Sequence, residues 1–163
     1  MIHERAMAAK RVEVPRLLVI GRKEYVAFPD WNVHRLRAKV DTGAFSSALD
    51  VAAYDLHRDD TGRLIARLSL CLSRRDPSRQ RIVFAPVVKM VGVTNTSGVR
   101  EERPLLEATV RLGSVEKLIR MTVTNRSCMR CRMLLGRDAL AGSFVVDVSK
   151  KYLLRSDYPE QRA

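Results

Sequence analysis

A carboxylate can act as a catalyst when a turn holds it at the end of a rigid strand. One stretch of this 163-residue chain has that construction: Ala38-Lys39-Val40-Asp41-Thr42-Gly43-Ala44. Asp41 follows strand-forming residues and precedes Thr-Gly. Gly43 permits close backbone approach and Thr42 can hydrogen-bond locally, so the acid is poised on a tight turn. An ordinary Asx-turn leaving a strand has the same residues, and the chain supplies its own control. A second Asp-Thr-Gly, Asp60-Thr61-Gly62, lies in the wholly polar stretch from His57 to Arg63. That one reads as an exposed hairpin turn. It lies 19 residues after the first, too close for each to be centred in its own barrel lobe. Asp60 is therefore read as structural.

Other catalytic chemistries find little support. The three cysteines form no disulfide framework: Cys128 and Cys131 make a single C-x-x-C, and Cys71 stands apart. His3, His34 and His57 have no metal-ligand spacing to one another or to the cysteines, and a structural zinc needs four ligands. The thiols read as reduced groups near a turn. The chain has no phosphate-binding G-x-x-x-x-G-K-[ST] loop and no H-E-x-x-H. No metal and no cofactor are expected.

The elements that must position Asp41 are strands. Hydrophobicity alternates with period two over Val33–Val40, Leu64–Leu72 and Leu106–Leu112. Gly113-Ser114 predicts a hairpin turn into a strand over Val115–Thr124. Further strands are expected over Ser143–Val148 and Tyr152–Leu154. The one helical stretch is short, beginning near Arg137 and stopped by Gly142. Short strands, frequent turns and little helix predict an all-β chain folded as a closed or nearly closed barrel. Residues 1–15 and 156–163, rich in charge and poor in pattern, read as tails around one domain over 16–155. The longest apolar runs are far too short to span a bilayer, and no secretory signal is evident, so a cytoplasmic protein with no membrane partner is expected.

Late in the chain, Met133-Leu134-Leu135-Gly136-Arg137-Asp138-Ala139-Leu140 is an apolar strand ending in Gly and then a short helix. Between the two motifs lies the polar, Gly-containing run Val93-Thr94-Asn95-Thr96-Ser97-Gly98-Val99-Arg100. Val-Asp-Thr-Gly-Ala early and Leu-Leu-Gly-Arg-Asp late resemble the retropepsin-like aspartic peptidases. The closer resemblance is to a bacterial subfamily labelled "ATP-dependent zinc protease" and associated with a glutamate ligase that modifies a ribosomal protein. Further matching pieces are Ser47-Ala48-Leu49, Glu102-Arg103-Pro104, Asn125-Arg126 with Met129, and Val146-Asp147 with Lys151-Tyr152-Leu153. The resemblance runs from about Val19 to Leu154. Two positions depart from the pattern: Asp50 stands where many members carry His, and Phe45 where viral members carry an Asp able to pair the helix arginine.

The resemblance implies a retropepsin-like barrel with a flap hairpin and one short C-terminal helix. It also implies an aspartic-type endopeptidase, a hydrolase in which two carboxylates activate one water. With one credible Asp-Thr-Gly per chain, the second carboxylate would come from a second copy, making a homodimer with Asp41 catalytic. By the same resemblance Thr42 would brace the two loops, with Gly43 and Ala44 presenting backbone groups to substrate. Val93, Thr94, Asn95, Thr96, Ser97, Gly98 and Val99 would form the flap, and Leu135, Gly136, Arg137 and Asp138 the structural support. The partner is then a peptide or protein substrate. The net charge of +12 adds an acidic, Glu-rich substrate as an expectation, with Arg100, Arg103, Arg126, Arg130, Arg132 and Arg137 as the cations to attract it. The alternative is a non-catalytic barrel that binds RNA or the ribosome through its basic surface.

Overall fold

The structure is a computed structural model that describes residues 16–73, 75–94, 97–125 and 130–157. Among the described residues the chain runs through β1 (Leu18–Gly21), β2 (Lys23–Phe28), β3 (Val33–Val40), β4 (Ser47–Asp50), β5 (Ala53–Arg58) and β6 (Leu64–Cys71). It continues through β7 (Gln80–Thr94), β8 (Arg100–Leu112), β9 (Val115–Thr124), β10 (Met133–Leu135), α1 (Arg137–Leu140) and β11 (Phe144–Asp147).

The expected all-β retropepsin-like barrel is what the chain forms. Six strands, in the order β2-β3-β10-β4-β9-β8, close into a ring through the pairing of β2 with β8 at Ala27 and Arg111. β7, β6 and β5 extend the sheet beyond β8, and β1 pairs with β11 in parallel. Closure satisfies the strand edges that an open sheet of this size would expose. The alternation read from the sequence decides which residues point inward. Leu36, Ala38 and Val40 of β3, Leu106, Ala108, Val110 and Leu112 of β8, and Met121 and Val123 of β9 are buried in one core with Leu49, Met133 and Leu135. Each large side chain fully buried there contributes about 1.5–3 kcal/mol of transfer free energy.

The short strand β10 organises the site. It lies between β3, parallel to it with Leu135 level with Val40, and β4, antiparallel to it with Met133 level with Leu49. The chain leaving β3 must therefore arch over the end of β10 before returning as β4. That arch is the segment 41–46, which contains Asp41.

One expected element differs. Tyr152–Leu154 is not a strand, because Tyr152 adopts a left-handed backbone (φ 57°), which breaks extended geometry. The segment is instead a strap over β2. Tyr152 N–H donates to the Lys23 carbonyl (2.7 Å), and its ring stacks on Tyr25 with centroids 4.8 Å apart. The fully buried Glu24 carboxylate accepts from the backbone N–H groups of Gly21 (2.8 Å), Leu153 (2.9 Å) and Leu154 (3.2 Å). A buried carboxylate is tolerated when donors surround it, so this acid ties the strap to the barrel.

Candidate active site

Asp41 stands one residue beyond β3, and its N–H donates to the Leu135 carbonyl at 2.9 Å, which anchors the turn to β10. Its Oδ1 accepts from the N–H groups of Gly43 (3.0 Å) and Ala44 (3.2 Å). Among the described residues no donor reaches Oδ2. The turn thus fixes the carboxylate's orientation through one oxygen and leaves the other to act. Gly43 has its expected close approach, since a Cβ there would stand 3.3 Å from Oδ1. Thr42 and Gly43 are exposed, while Asp41 and Ala44 are half-buried.

The second motif meets the first directly. Arg137 N–H donates to the Ala44 carbonyl (2.9 Å) and Asp138 N–H to the Phe45 carbonyl (3.1 Å). The backbones pass so closely that a Cβ on Gly136 would stand 2.5 Å from the Phe45 oxygen and 2.6 Å from Ser46. Only glycine permits that crossing. The Arg137 guanidinium reaches back to donate to the Thr42 carbonyl at 3.0 Å, and lies 6.0 Å from the Phe45 ring centroid. With Phe at position 45 in place of an acid, the helix arginine takes a backbone partner inside the Asp41 turn. Asp138 Oδ1 accepts from its neighbour Ala139 N–H (2.8 Å) and from the Ser47 hydroxyl (3.3 Å). Ser47 Oγ in turn accepts from Gly136 N–H at 3.1 Å. The buried Ser47 is the one member of this clamp to which its sequence motif assigned no role. The signals the chain offered were its place in the matching piece Ser47-Ala48-Leu49 and its position just after the turn, at the start of β4.

Of the flap residues, Val93 and Thr94 end β7, Ser97 and Gly98 form the turn, and Val99 leads into β8. Gly98 has φ +80°, the left-handed geometry such a turn requires. Asn95 and Thr96 lie outside the described residues, as does the Cys128 half of the C-x-x-C. β7 and β8 pair in antiparallel register from Thr94 and Arg100 inward.

The control motif behaves differently from the Asp41 turn. In the β5–β6 hairpin it is Asp59, rather than Asp60, that closes the turn, accepting from Thr61 N–H (2.9 Å), Thr61 Oγ1 (2.6 Å) and Arg63 N–H (3.0 Å). The Thr61 hydroxyl foremost, with the backbone donors, lowers the Asp59 pKa to about 2.

Asp50, the position of the expected histidine, is buried and accepts from Arg132 Nη1 at 2.6 Å, while Arg132 Nη2 donates to Cys71 Sγ at 3.4 Å. Its carboxylate is thus committed to an ion pair. Among the described residues no group of three or more His, Cys, Asp and Glu side chains could hold a metal ion. The arginines named above do not share one place. Arg103 is buried against Glu101 (2.7 Å), and Arg137 serves the turn. Arg130 and Arg132 line a separate cavity. Arg126 lies outside the described residues. No helix among the described residues is long and apolar enough to cross a membrane.

Comparison with known proteins agrees with this geometry. The family described as retropepsin-like aspartic endopeptidase RimB matches residues 19–157. A protein of Parasynechococcus marenigrum (strain WH8102) named "Probable alpha-L-glutamate ligase" is 33% identical over 132 residues, covering 81% of this chain and 28% of the relative. A protein of the same name from Shewanella pealeana is 28% identical over 149 residues, covering 83% of this chain and 30% of the relative. This chain therefore spans less than a third of the length of these relatives. The crystal structure of a Legionella pneumophila protein of unknown function shares the fold, with a TM-score of 0.69 at 24% identity over 83% of this chain and 97% of that one.

Proposed function

We propose that this chain, which belongs to the RimB-like family of retropepsin-like aspartic endopeptidases, hydrolyses peptide bonds with Asp41 as its catalytic carboxylate. The observation that carries the reading is the division of labour within that side chain. Oδ1 is held by two backbone donors, and no donor among the described residues reaches Oδ2. A carboxylate so held can take a proton from a water without losing its orientation.

Acyl hydrolysis by this route needs a second carboxylate, protonated, to support the developing oxyanion. Two like charges a few ångströms apart cannot both ionise, so the pair would share one proton and titrate as a unit. The second acid is Asp41 of another copy, in a two-fold homodimer. Two features support that pairing: Thr42 and Gly43 are exposed at the turn, and Phe45 beside it is 66% exposed. The hairpin carrying Ser97 and Gly98 would close over substrate and exclude water.

Substrate preference is for acidic, Glu-rich peptides in the cytoplasm. Lys39 and Arg100 are exposed near the turn and at the flap base, and the relatives' names concern glutamate ligation. The decisive experiment incubates an unstructured protein with the purified chain at mildly acidic pH. Cleavage is expected, and Asp41→Asn should abolish it while leaving the fold intact; cleavage surviving that substitution refutes the assignment. In the same assay a Glu-rich peptide should outpace a matched neutral one at about 0.01 M salt. The advantage should shrink near 0.1 M, as the Debye length falls from about 30 to about 10 Å. Equal rates at low salt would remove the acidic preference alone.

A further inference from the structure

A cavity of about 400 Å³ opens at the far end of β3 and β10 from the Asp41 turn. Arg37 lies four residues before Asp41, about 13 Å along an extended strand, and Arg35 lies farther still. Its walls come from three separate parts of the chain. β3 contributes Arg35 and Arg37, the connection between β6 and β7 contributes Arg75 and Arg79, and the start of β7 contributes Arg81. The segment entering β10 adds Arg130 and Arg132. None of the described lining residues is an Asp or a Glu.

Two of these arginines are built into the wall. Arg35 stacks its guanidinium 3.9 Å from the centroid of the Tyr25 ring. Arg132 is fixed by buried Asp50 and by Cys71, and its Nε is buried with no hydrogen-bond partner. Arg75, Arg79 and Arg130 are exposed at the mouth. Guanidinium groups gathered around one concavity repel each other unless an anion sits among them, and a buried donor without an acceptor is costly.

We propose that this cavity is a binding site for a small, multiply charged phosphate compound, a polyphosphate or a nucleoside polyphosphate. The shared chemistry is a run of phosphoryl oxygens, which arginine forks bind in bidentate fashion. The volume is that of a small-molecule site. It favours phosphate over an acidic peptide, because several charges must fit in a space that holds only a few glutamates. It also favours a small molecule over RNA, because the cations converge on one concavity instead of tracking along a groove. The site is independent of the peptidase reading, since none of its lining residues belongs to the Asp41 turn or the Gly136 crossing.

Calorimetric titration of the full chain at about 50 mM salt tests this, with inorganic tripolyphosphate, ATP, adenosine, a hexaglutamate peptide and a single-stranded RNA as probes. Saturable binding of tripolyphosphate, one per chain, is expected, with none of adenosine. ATP equal to tripolyphosphate would identify free polyphosphate as the source, and tighter ATP a nucleotide. Arg79→Gln and Arg81→Gln lie on the surface hairpin, away from the Arg132–Asp50 pair, and each should weaken binding ~10-fold or more. Asp41→Asn should leave it unchanged. Absence of tripolyphosphate binding would overturn the proposal, as would binding indifferent to both arginine substitutions. Tighter capture of hexaglutamate or RNA through the same arginines would overturn it in favour of those partners.

Discussion

At the scale of single residues, the Asp41 turn and the Gly136 motif meet backbone to backbone. Gly136 is the sharpest case, because a Cβ there would press on the backbone of Phe45 and Ser46, which cannot swing aside as a flexible side chain could. Gly136→Ala should therefore destabilise the chain by about 1–3 kcal/mol in urea denaturation. It should also lower cleavage beyond that loss, because the displaced backbone carries Asp41. Unchanged stability would mean that the crossing is looser than described. The turn that holds Asp41 was legible in the sequence, since strand residues, an acid and Thr-Gly lie within seven positions. Glu24 was not, because the donors that hold it include Leu153 and Leu154, 129 and 130 positions away. Ser47 was legible only as part of the Ser47-Ala48-Leu49 match; its role was not, as its hydroxyl joins Gly136 and Asp138 from the far end of the chain.

Elements were legible where one face is buried and the other wet. β3 occupies the span that the alternation predicted, because inward Leu36, Ala38 and Val40 and outward Arg37 and Lys39 leave one register open to it, and β9 the span predicted to follow the Gly113-Ser114 turn. The strap after β11 was misread as a strand, since its path is set by Glu24 and by the left-handed Tyr152 and not by periodicity. Among elements, α1 matters most to chemistry, through Arg137 and the Thr42 carbonyl. Arg137→Met should reduce kcat ~10-fold while shifting stability by less than about 1 kcal/mol, because the contact is exposed and orients the turn. Arg137→Lys, which can still donate to a carbonyl, should recover part of the loss; equal defects in both would contradict this positioning role. The β5–β6 hairpin offers a pH test. The folded pKa of Asp59 lies below its ordinary value of 3.8, so the unfolded chain binds its proton first as pH falls. Its contribution is present above about pH 4 and lost toward pH 2. Asp59→Asn should be less stable than the wild type above about pH 4, and the two should converge as pH drops toward about 2. A difference that vanished between neutral and mildly acidic pH would contradict the assignment.

At the scale of the whole molecule, the closed barrel presents one Asp41 turn at its surface with an exposed Phe45 beside it, and the proposed chemistry needs two such turns. The net charge of +12 was plain from the sequence, but the gathering of seven arginines around one cavity away from Asp41 was not. Only the fold brings Arg75, Arg79 and Arg81 against β3 and the approach to β10. Mixing chains distinguishes a carboxylate pair shared between two copies from a chain that acts alone. Wild-type protein is equilibrated with a fivefold excess of Asp41→Asn, and cleavage per wild-type chain is compared with that of wild type alone. Random pairing leaves about one wild-type chain in six with a wild-type partner, so the rate per wild-type chain should fall to about one-sixth. A rate unaffected by the added variant would show that each chain acts alone, and would contradict the shared pair.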